Sequence, residues 1–340
     1  MLTSIDLDRL IADTESAILD VISDAEDERT RGLYAMVRYH LGLDGDAPRG
    51  KRMRPLIGLL AYQSIAGEHQ RALPGAAAVE MGHNFSLVHD DIEDHGTERR
   101  HRPALWMVSG VPQAINTGDT LFTLSRMALH RLSEEGFDDA RVLRLMRLYD
   151  ETCLALCEGQ FMDIWTSEHD EWMSVDYYFD MIGRKTASLI AGSAEAGALL
   201  ATDDESVVAA YRRFGWSLGL AFQLNDDLLG IWGDEAATGK EASDIATRKK
   251  TLPLIYAHQE AGGAGAERLR AILAQRSEET NGAEVEEVRL ILERVGAHEY
   301  TRSRALALRD EALAQIASVD LVDREAVERL SQVVRAAISA

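Results

Sequence analysis

An all-helical fold is what this sequence predicts, and three observations carry the prediction. Only six prolines occur in 340 residues, at 48, 55, 74, 103, 112 and 253, so 113–252 runs without one. Long helices need such a stretch, because proline removes an amide donor and clashes with the preceding turn. Apolar residues recur at three and four, as in Val142, Leu145, Met146 and Tyr149, or Leu218, Phe222 and Leu229, which is the spacing of one helical face. Third, β-branched alternation is nowhere sustained.

In chain order, the N-terminal "MLTSIDLDRLIADTESAILD" is acidic and amphipathic, unlike the basic, apolar start of a leader. No run approaches the ~20 apolar residues of a membrane span, so a soluble cytoplasmic protein is expected. The turn "LGLDGDAPRG" precedes "RGKRMRPLIGLL", an apolar helix with Pro55 in its first turn. A second apolar helix runs into "FSLVHDDIED". After the turn "EEGFDDAR", the 142–149 helix leads to "CLALC". That spacing stacks Cys153 and Cys157 on one helical face as reduced core thiols, without the further ligands of a zinc site. Another apolar run reaches "AFQLNDDLLG" and continues into "LLGIW". Turn signals at "GDEAATGKEASD" and "EAGGAGAE" separate later helices, and 282–340 reads as charged amphipathic packing helices. With 46% hydrophobic residues, no long linker and no solenoid period, one large domain over 1–340 is expected. Its motif-bearing core spans 50–255, with packing helices over 265–340.

Asp and Glu total 57 against 36 Lys and Arg, a formal charge of -21, which argues against a general phosphate-neutralising surface for nucleic acid. A polyanionic ligand would need local cations or metal. "FSLVHDDIED" and "AFQLNDDLLG" echo each other, each placing an Asp pair after an apolar run. Asp138 with Asp139, and Asp203 with Asp204, lie among polar residues where a helix cap suffices. Asp90 and Asp226 differ because apolar surroundings leave clustered carboxylates in need of a counter-charge or a proton. Asp90 and Asp94 share a helical face with His83 and Ser86 farther back, whereas Glu93 points away; Asp226 shares its face with Phe222 and Gln223. Two such clusters facing each other across a bundle suit Mg²⁺, which takes a few carboxylates and completes its shell with water and phosphate. The Glu-x-x-His pairs of a di-iron bundle are missing.

The cations lie in separate stretches. Lys51, Arg52 and Arg54 open a helix, against the usual preference for acids at that end, and read as an anion site that combines amides with fixed charge. A solvated basic turn is the plainer reading. Lys185 and Thr186 stand in "GRKTASL"; Lys240, Asp244, Lys249 and Lys250 stand in "TGKEASDIATRKKTLP". With Arg99 and Arg100 they outline a cleft where carboxylates hold metal, metal holds diphosphate and cations take the remaining charge.

The motifs "GKRMRP", "HNFSLVHDDIEDHGTERRHRP", "GQFMD", "GRKTA", "FQLNDD" and "GKEASDIATRKKTLP" occur in an order and spacing that resembles the polyprenyl synthetase family, the trans-isoprenyl diphosphate synthases, from about Gly50 to Pro253. The resemblance implies an all-helical isoprenoid synthase fold around a central cavity, working as a homodimer, and condensation of an allylic diphosphate with isopentenyl diphosphate. It also implies Mg²⁺, three ions with substrate bound. Carried over position by position, Asp90, Asp91 and Asp94 form the first aspartate-rich motif, with Asp90 and Asp94 as direct ligands. Asp226 opens the second, assisted by Asp227, and Gln160 and Asp163 belong to the same metal-facing wall. Arg99, Lys185 and Lys240 match the allylic diphosphate site; Lys51, Arg54, His83 and Arg100 match the isopentenyl diphosphate site. Of Lys249 and Lys250, the "KxT" spacing favours Lys249 for phosphate. Thr186 and Gln223 would turn oxygens toward the carbocation. One departure stands out: Gly230 occupies the position where the family often has the third aspartate of its second motif, with Asp234 one turn beyond.

Product length follows from helix geometry if the tail runs down the wall that carries Asp90. Ser86 and Gly82 are small and leave a channel, and Phe85 either narrows it from the side or is plain core. An aromatic there, with no insertion between Asp91 and Asp94, resembles the geranylgeranyl diphosphate makers and points to a twenty-carbon product. A class I terpene cyclase would have no use for Lys51, Arg54 and Arg100. A non-catalytic subunit of a heteromeric synthase would show eroded aspartates, whereas here one of six motif aspartates is missing.

Overall fold

The computed structural model describes residues 4–45, 48–169, 172–233, 243–274, 282–317, 319 and 322–338. Helices α1 to α6 are Ser4–Ala25, Arg31–Leu41, Met53–Ala66, Leu73–Glu93, Leu105–Ser109 and Val111–His130. Helices α7 to α11 are Asp139–Glu168, Val175–Ile182, Ser188–Ala201, Glu205–Trp232 and Ser243–Ala246. Helices α12 to α16 are Leu252–Glu260, Gly262–Leu273, Gly282–Arg294, Ala297–Ala317 and Arg324–Ala337. A five-residue π-helical segment, Gly183–Ala187, joins α8 to α9. No helix among the described residues is long and apolar enough to cross a membrane.

Among the described residues the expectation of an all-helical chain holds except for one small ribbon. Strands β1 (Glu98–Arg99) and β2 (Arg102–Pro103) pair antiparallel, with Arg99 opposite Arg102. Arg100 and His101 form the two-residue loop, both at positive φ (53° and 59°), the conformation whose twist matches such a hairpin. Non-glycine residues rarely adopt it. The ribbon thereby projects Arg99 and Arg100 from adjacent but differently oriented positions.

Backbone contacts group into two compact units. One comprises Met1–Cys153, Gly192–Arg212 and Val319–Leu330; the other comprises Leu154–Ala191, Arg213–Ser318 and Ser331–Ala340. In the first, α4 packs against α6 and is flanked by α1 and α3. The α4 run from Pro74 to Gly82 is wholly buried, as a helix that is apolar on most sides must be. In the second, Met181, Ile182, Ala187, Leu220, Leu224, Leu252 and Ile255 form one core cluster. Ile231, Ile245, Leu254, Leu269, Ile272 and Leu292 belong to another. Of the two cysteines, Cys153 is buried but Cys157 is exposed, so the core-thiol expectation holds only for the first.

Candidate active site

In the first unit the aspartate-rich motif ends α4. Asp90 is half-buried, Asp94 is exposed and Asp91 is buried. The Arg99 guanidinium grips both Asp91 oxygens, Nε at 2.9 and 2.8 Å and Nη2 at 2.6 Å, and reaches Asp90 only at 3.9 Å. Burial raises the Asp91 carboxyl pKa against the pull of Arg99. Asp91 therefore positions Arg99, while Asp90 and Asp94 keep access to solvent. Glu93 is also exposed.

The cations that open α3 divide in their roles. Lys51 is exposed. Arg52, expected to face an anion, instead points inward at positive φ (48°) and is 3% exposed. Its Nε donates to Glu15 (3.1 Å), Nη1 to Glu80 (2.7 Å) and Nη2 to the Leu41 carbonyl (2.7 Å). Asn84 donates to Glu80 Oε1 (2.9 Å) and accepts from Arg100 Nη2 (2.9 Å), while Arg100 Nη1 donates to the His40 carbonyl (2.6 Å). Arg52 thus belongs to a buried network with Glu15, Glu80, Asn84 and Arg100, of which only the arginines carried a sequence signal. Glu80 and Asn84 lie on α4 at i and i+4, but an isolated Glu and Asn in an apolar helix look no different from surface residues.

Arg54 lies within reach of His83, Nη1 to Nε2 at 2.9 Å. Its Nε is buried with no hydrogen-bond partner. Burial pushes the pKa of Arg54 down to about 10, and burial beside Arg52 does the same to Arg100. Both remain charged at neutral pH. A half-buried guanidinium with a buried, unused Nε donor is a strong site for an oxyanion.

Burial, with Arg100, Arg99 and Arg52 nearby, holds the His40 imidazole well below the ordinary histidine pKa. The unfolded chain then binds more protons below about pH 6.5, so stability present at neutral pH is lost as pH falls. The slope for one such proton approaches roughly 1.4 kcal/mol per pH unit. Urea midpoints between pH 7 and pH 5 should fall more steeply in the wild type than in His40→Gln; equal slopes would remove His40 from this role.

Farther down α4, Phe85 is buried edge-to-face against Phe122 at 5.1 Å, and Ser86 is half-buried. The space beside Gly82 differs from expectation. A Cβ at Gly82 would lie 2.0 Å from the Tyr149 hydroxyl, which is hydrogen-bonded to Ser125 at 2.6 Å. The glycine is filled by a tyrosine from α7 and is no opening.

The second unit assembles the other motifs. A Cβ at Gly159 would lie 2.2 Å from the Lys185 backbone nitrogen, so the glycine of "GQFMD" lets α7 lie against the π-helical segment. This contact brings Lys185 Nζ to 2.5 Å from Asp163 Oδ2, with Gln160 one turn before Asp163. Such π-helical insertions recur at functional sites. Thr186 donates to Gln223 Oε1 (2.8 Å), and Gln223 Nε2 donates to Asp227 Oδ1 (3.1 Å). Tyr178 and the Leu252 amide donate to Asp227 Oδ2. Burial pushes the Asp227 carboxyl up to about 6 against these donors. Asp226, by contrast, is exposed.

Lys249 and Lys250 diverge. Crowding lowers the Lys249 ammonium pKa, but Asp163, Asp227, Asp244 and Asp226 together outweigh that and raise it. The Lys250 ammonium lies 5.7 Å from the centre of the Trp172 ring. Tyr178 and Trp172 gave no sequence signal beyond ordinary core aromatics. Lys240 and Asp234 lie outside the described residues.

The two Asp pairs thus repeat one arrangement: the second carboxylate is buried and tied down, and the first is open to solvent. Among the described residues no three His, Cys, Asp or Glu side chains form a ready-made metal cage. The donors are hard carboxylate oxygens, open to solvent and few, which fits Mg²⁺ with its retained waters and phosphate ligands and does not fit zinc.

A model of the family described as polyprenyl synthetase matches residues 33–291. The chain belongs to this family. Polyprenyl synthetases are prenyltransferases, and the curated (2E,6E)-farnesyl diphosphate synthase of Mycobacterium bovis is 36% identical over 302 residues, covering 86% of this chain and 82% of that protein. The geranylgeranyl pyrophosphate synthetase of Pyrococcus horikoshii superposes with a TM-score of 0.88 at 28% identity over 98% of both chains. A geranylgeranyl pyrophosphate synthase from Corynebacterium glutamicum, solved with isoprenyl diphosphate and magnesium, gives 0.80 at 26% identity over 98% of this chain and 97% of that one. This polyprenyl synthetase accordingly has the all-α isoprenoid synthase fold that its motifs imply.

Proposed function

We propose that this synthase condenses an allylic diphosphate with isopentenyl diphosphate in a Mg²⁺-dependent reaction and releases a linear all-trans product, geranylgeranyl diphosphate. The observation that carries the reading is the repeated division of labour in the Asp pairs, with Asp90, Asp94 and Asp226 solvent-facing while Asp91 and Asp227 are locked by Arg99 and Tyr178. Magnesium ions, when bound, would neutralise charge building on the leaving diphosphate. Asp90, Asp94 and Asp226 hold them, with Asp91, Asp163 and Asp227 in support.

Arg99, Lys185 and Lys240 meet the allylic diphosphate. Lys51, Arg54, His83 and Arg100 hold isopentenyl diphosphate, with Arg54 offering its unused donor. The allylic C–O bond breaks with its electron pair leaving on diphosphate, and the isopentenyl double bond supplies the pair for the new C–C bond. The proton then lost passes to the released diphosphate. The Thr186 hydroxyl and Gln223 carbonyl, fixed by their mutual hydrogen bond, keep oxygens toward the cation. Preorganised charge and proximity supply the rate. One domain over the whole chain is part of this reading, because both units are built from interleaved segments. So is a homodimer, supported by the exposed apolar Met107, Val108, Val111, Ile115 and Met127 on α5 and α6.

Incubation with Mg²⁺, isopentenyl diphosphate and each allylic diphosphate in turn tests the reading. Elongation to twenty carbons is expected; no elongation from any primer would overturn it, and a cyclic hydrocarbon would favour a cyclase. Tyr149 fills the space beside Gly82, which lies about 12 Å before Asp90 along α4; this supports a short-chain product over a long one. Ser86→Phe should shift the product toward fifteen carbons or fewer. Unchanged length would take Ser86 off the channel wall.

A further inference from the structure

The ribbon that carries Arg99 and Arg100 is not a relaxed structure. Arg100 and His101 occupy both central positions of its turn, at φ 53° and 59°, where an L-residue crowds its Cβ against a backbone carbonyl. Asn-Gly or Asp-Gly makes such a turn readily. Two large side chains hold this conformation only where neighbouring contacts dictate it.

Those contacts come from α2 and the turn after it, and they converge on Arg102, which faces Arg99 across the ribbon. Gly42, at φ 69°, caps α2, with the Gly42 and Leu43 amides donating to the Tyr39 and Arg38 carbonyls. This cap turns the chain back and brings Asp44 to the ribbon. Arg102 Nη1 and Nη2 donate to Asp44 Oδ1 and Oδ2 at 2.8 and 2.7 Å. The Arg102 guanidinium carbon lies 3.9 Å from the centre of the Tyr39 ring, and the Tyr39 hydroxyl donates to the Pro103 carbonyl at 2.9 Å. Both residues of β2 are thus gripped from α2. A planar guanidinium can fork a carboxylate and stack on a ring at once, which an ammonium cannot do. The Arg102 charge also holds the Asp44 carboxyl below its ordinary pKa.

The grip bears on Arg100 more than on Arg99. Arg99 precedes the turn and is fixed independently by Asp91. Arg100 lies inside the turn, and its guanidinium enters a narrow slot. There the His40 carbonyl and Asn84 accept from it, and a Cβ at Gly50 would lie 3.3 Å from its Nη2. With so little slack, the side chain reaches this slot only from a backbone held in the left-handed turn.

We propose that Arg102 is a positioning residue for isopentenyl diphosphate: clamped by Asp44 and Tyr39, it holds the ribbon in the strained turn that delivers Arg100 to that substrate. The inference rests on the reading of Arg100 as part of the isopentenyl diphosphate site. Arg102 acts through Arg100.

Steady-state kinetics on the full-length protein, with each substrate varied in turn, test this. Arg102→Ala and Asp44→Ala should each raise KM for isopentenyl diphosphate about tenfold, the effect of leaving Arg100 in place about a tenth of the time, with kcat and the allylic KM within about twofold of wild type. The double variant should be no worse than either single one, because both remove the same clamp. Arg102→Lys keeps the charge but loses the fork and the stack, and should resemble Arg102→Ala. In the Arg102→Ala background, His101→Gly should recover most of the isopentenyl affinity, since glycine enters the left-handed region without strain. The paired side chains are 22% and 31% exposed, so their loss should not unfold the protein; melting temperatures verify this. A merely structural Arg102 predicts a loss shared by both substrates. An unchanged isopentenyl KM in Arg102→Ala, equal rises for both substrates, or no recovery with His101→Gly overturns the proposal. Arg100→Ala separates this failure from that of the underlying reading: if it too leaves the isopentenyl KM unchanged, the assignment of Arg100 falls and the clamp falls with it.

Discussion

Asp226→Ala is expected to reduce turnover by roughly 10²–10³-fold or more, the scale on which loss of one preorganised charge-stabilising contact is felt, with little change in stability. Asp227→Ala is expected to lose stability as well. The two residues are adjacent and chemically identical, but α10 turns the first to solvent and the second into the core. Asp226 is exposed, so truncating it opens no cavity and strands no buried donor. Asp227 is 1% exposed and accepts from Tyr178, Gln223 and the Leu252 amide. Removing it leaves these donors buried without an acceptor, at about 1–3 kcal/mol for each group left unsatisfied. Activity and urea unfolding on both variants decide the matter. Equal effects of the two on stability would contradict the assigned division.

Arg52→Ala should be strongly destabilising, by about 3–5 kcal/mol. The substitution leaves Glu80, 3% exposed, and Glu15 without their shared cation. A buried pair need not add net stability over an apolar core, but breaking one side leaves an uncompensated charge. Domains are stable by only about 5–15 kcal/mol in total, so a large share would go. The double variant Arg52→Met with Glu80→Leu should be less damaging than Arg52→Ala alone, because the buried Glu80 charge goes with its partner and Glu15 keeps its pair with Arg49 at 3.1 Å. A loss below about 1 kcal/mol in the single variant would show that water reaches the network and that Arg52 belongs to the anion site after all. The same network holds Arg100 through Asn84, so Arg52→Ala should also weaken isopentenyl diphosphate use among molecules that stay folded.

How much of the site was legible in advance depended on whether its signal was local. Asp90 with Asp94, and Asp226 with Gln223, are set by the repeat of a single helix, and their shared faces could be counted off the chain. The charge stretches around Lys51, Arg99 and Lys249 were visible for the same reason. What each cation meets was not visible. Arg52 and Arg54 stand two apart in "KRMR" and looked equivalent, yet one reaches Glu15 and Glu80 while the other keeps a donor unused beside His83. Gly82 read as open space because the occupant, Tyr149, is 67 residues later in the chain.

The sequence by itself determined the all-helical class, the family and the inventory of carboxylates and cations, because proline placement, the 3.6-residue period and motif spacing act over a few turns of chain. Only the tertiary structure decided which member of each Asp pair is buried, which arginine turns inward, and that Tyr178 secures Asp227. Those outcomes depend on which helices pack together and how closely, and burial of charge is costly enough that each contact sets the role of the residues on both sides of it.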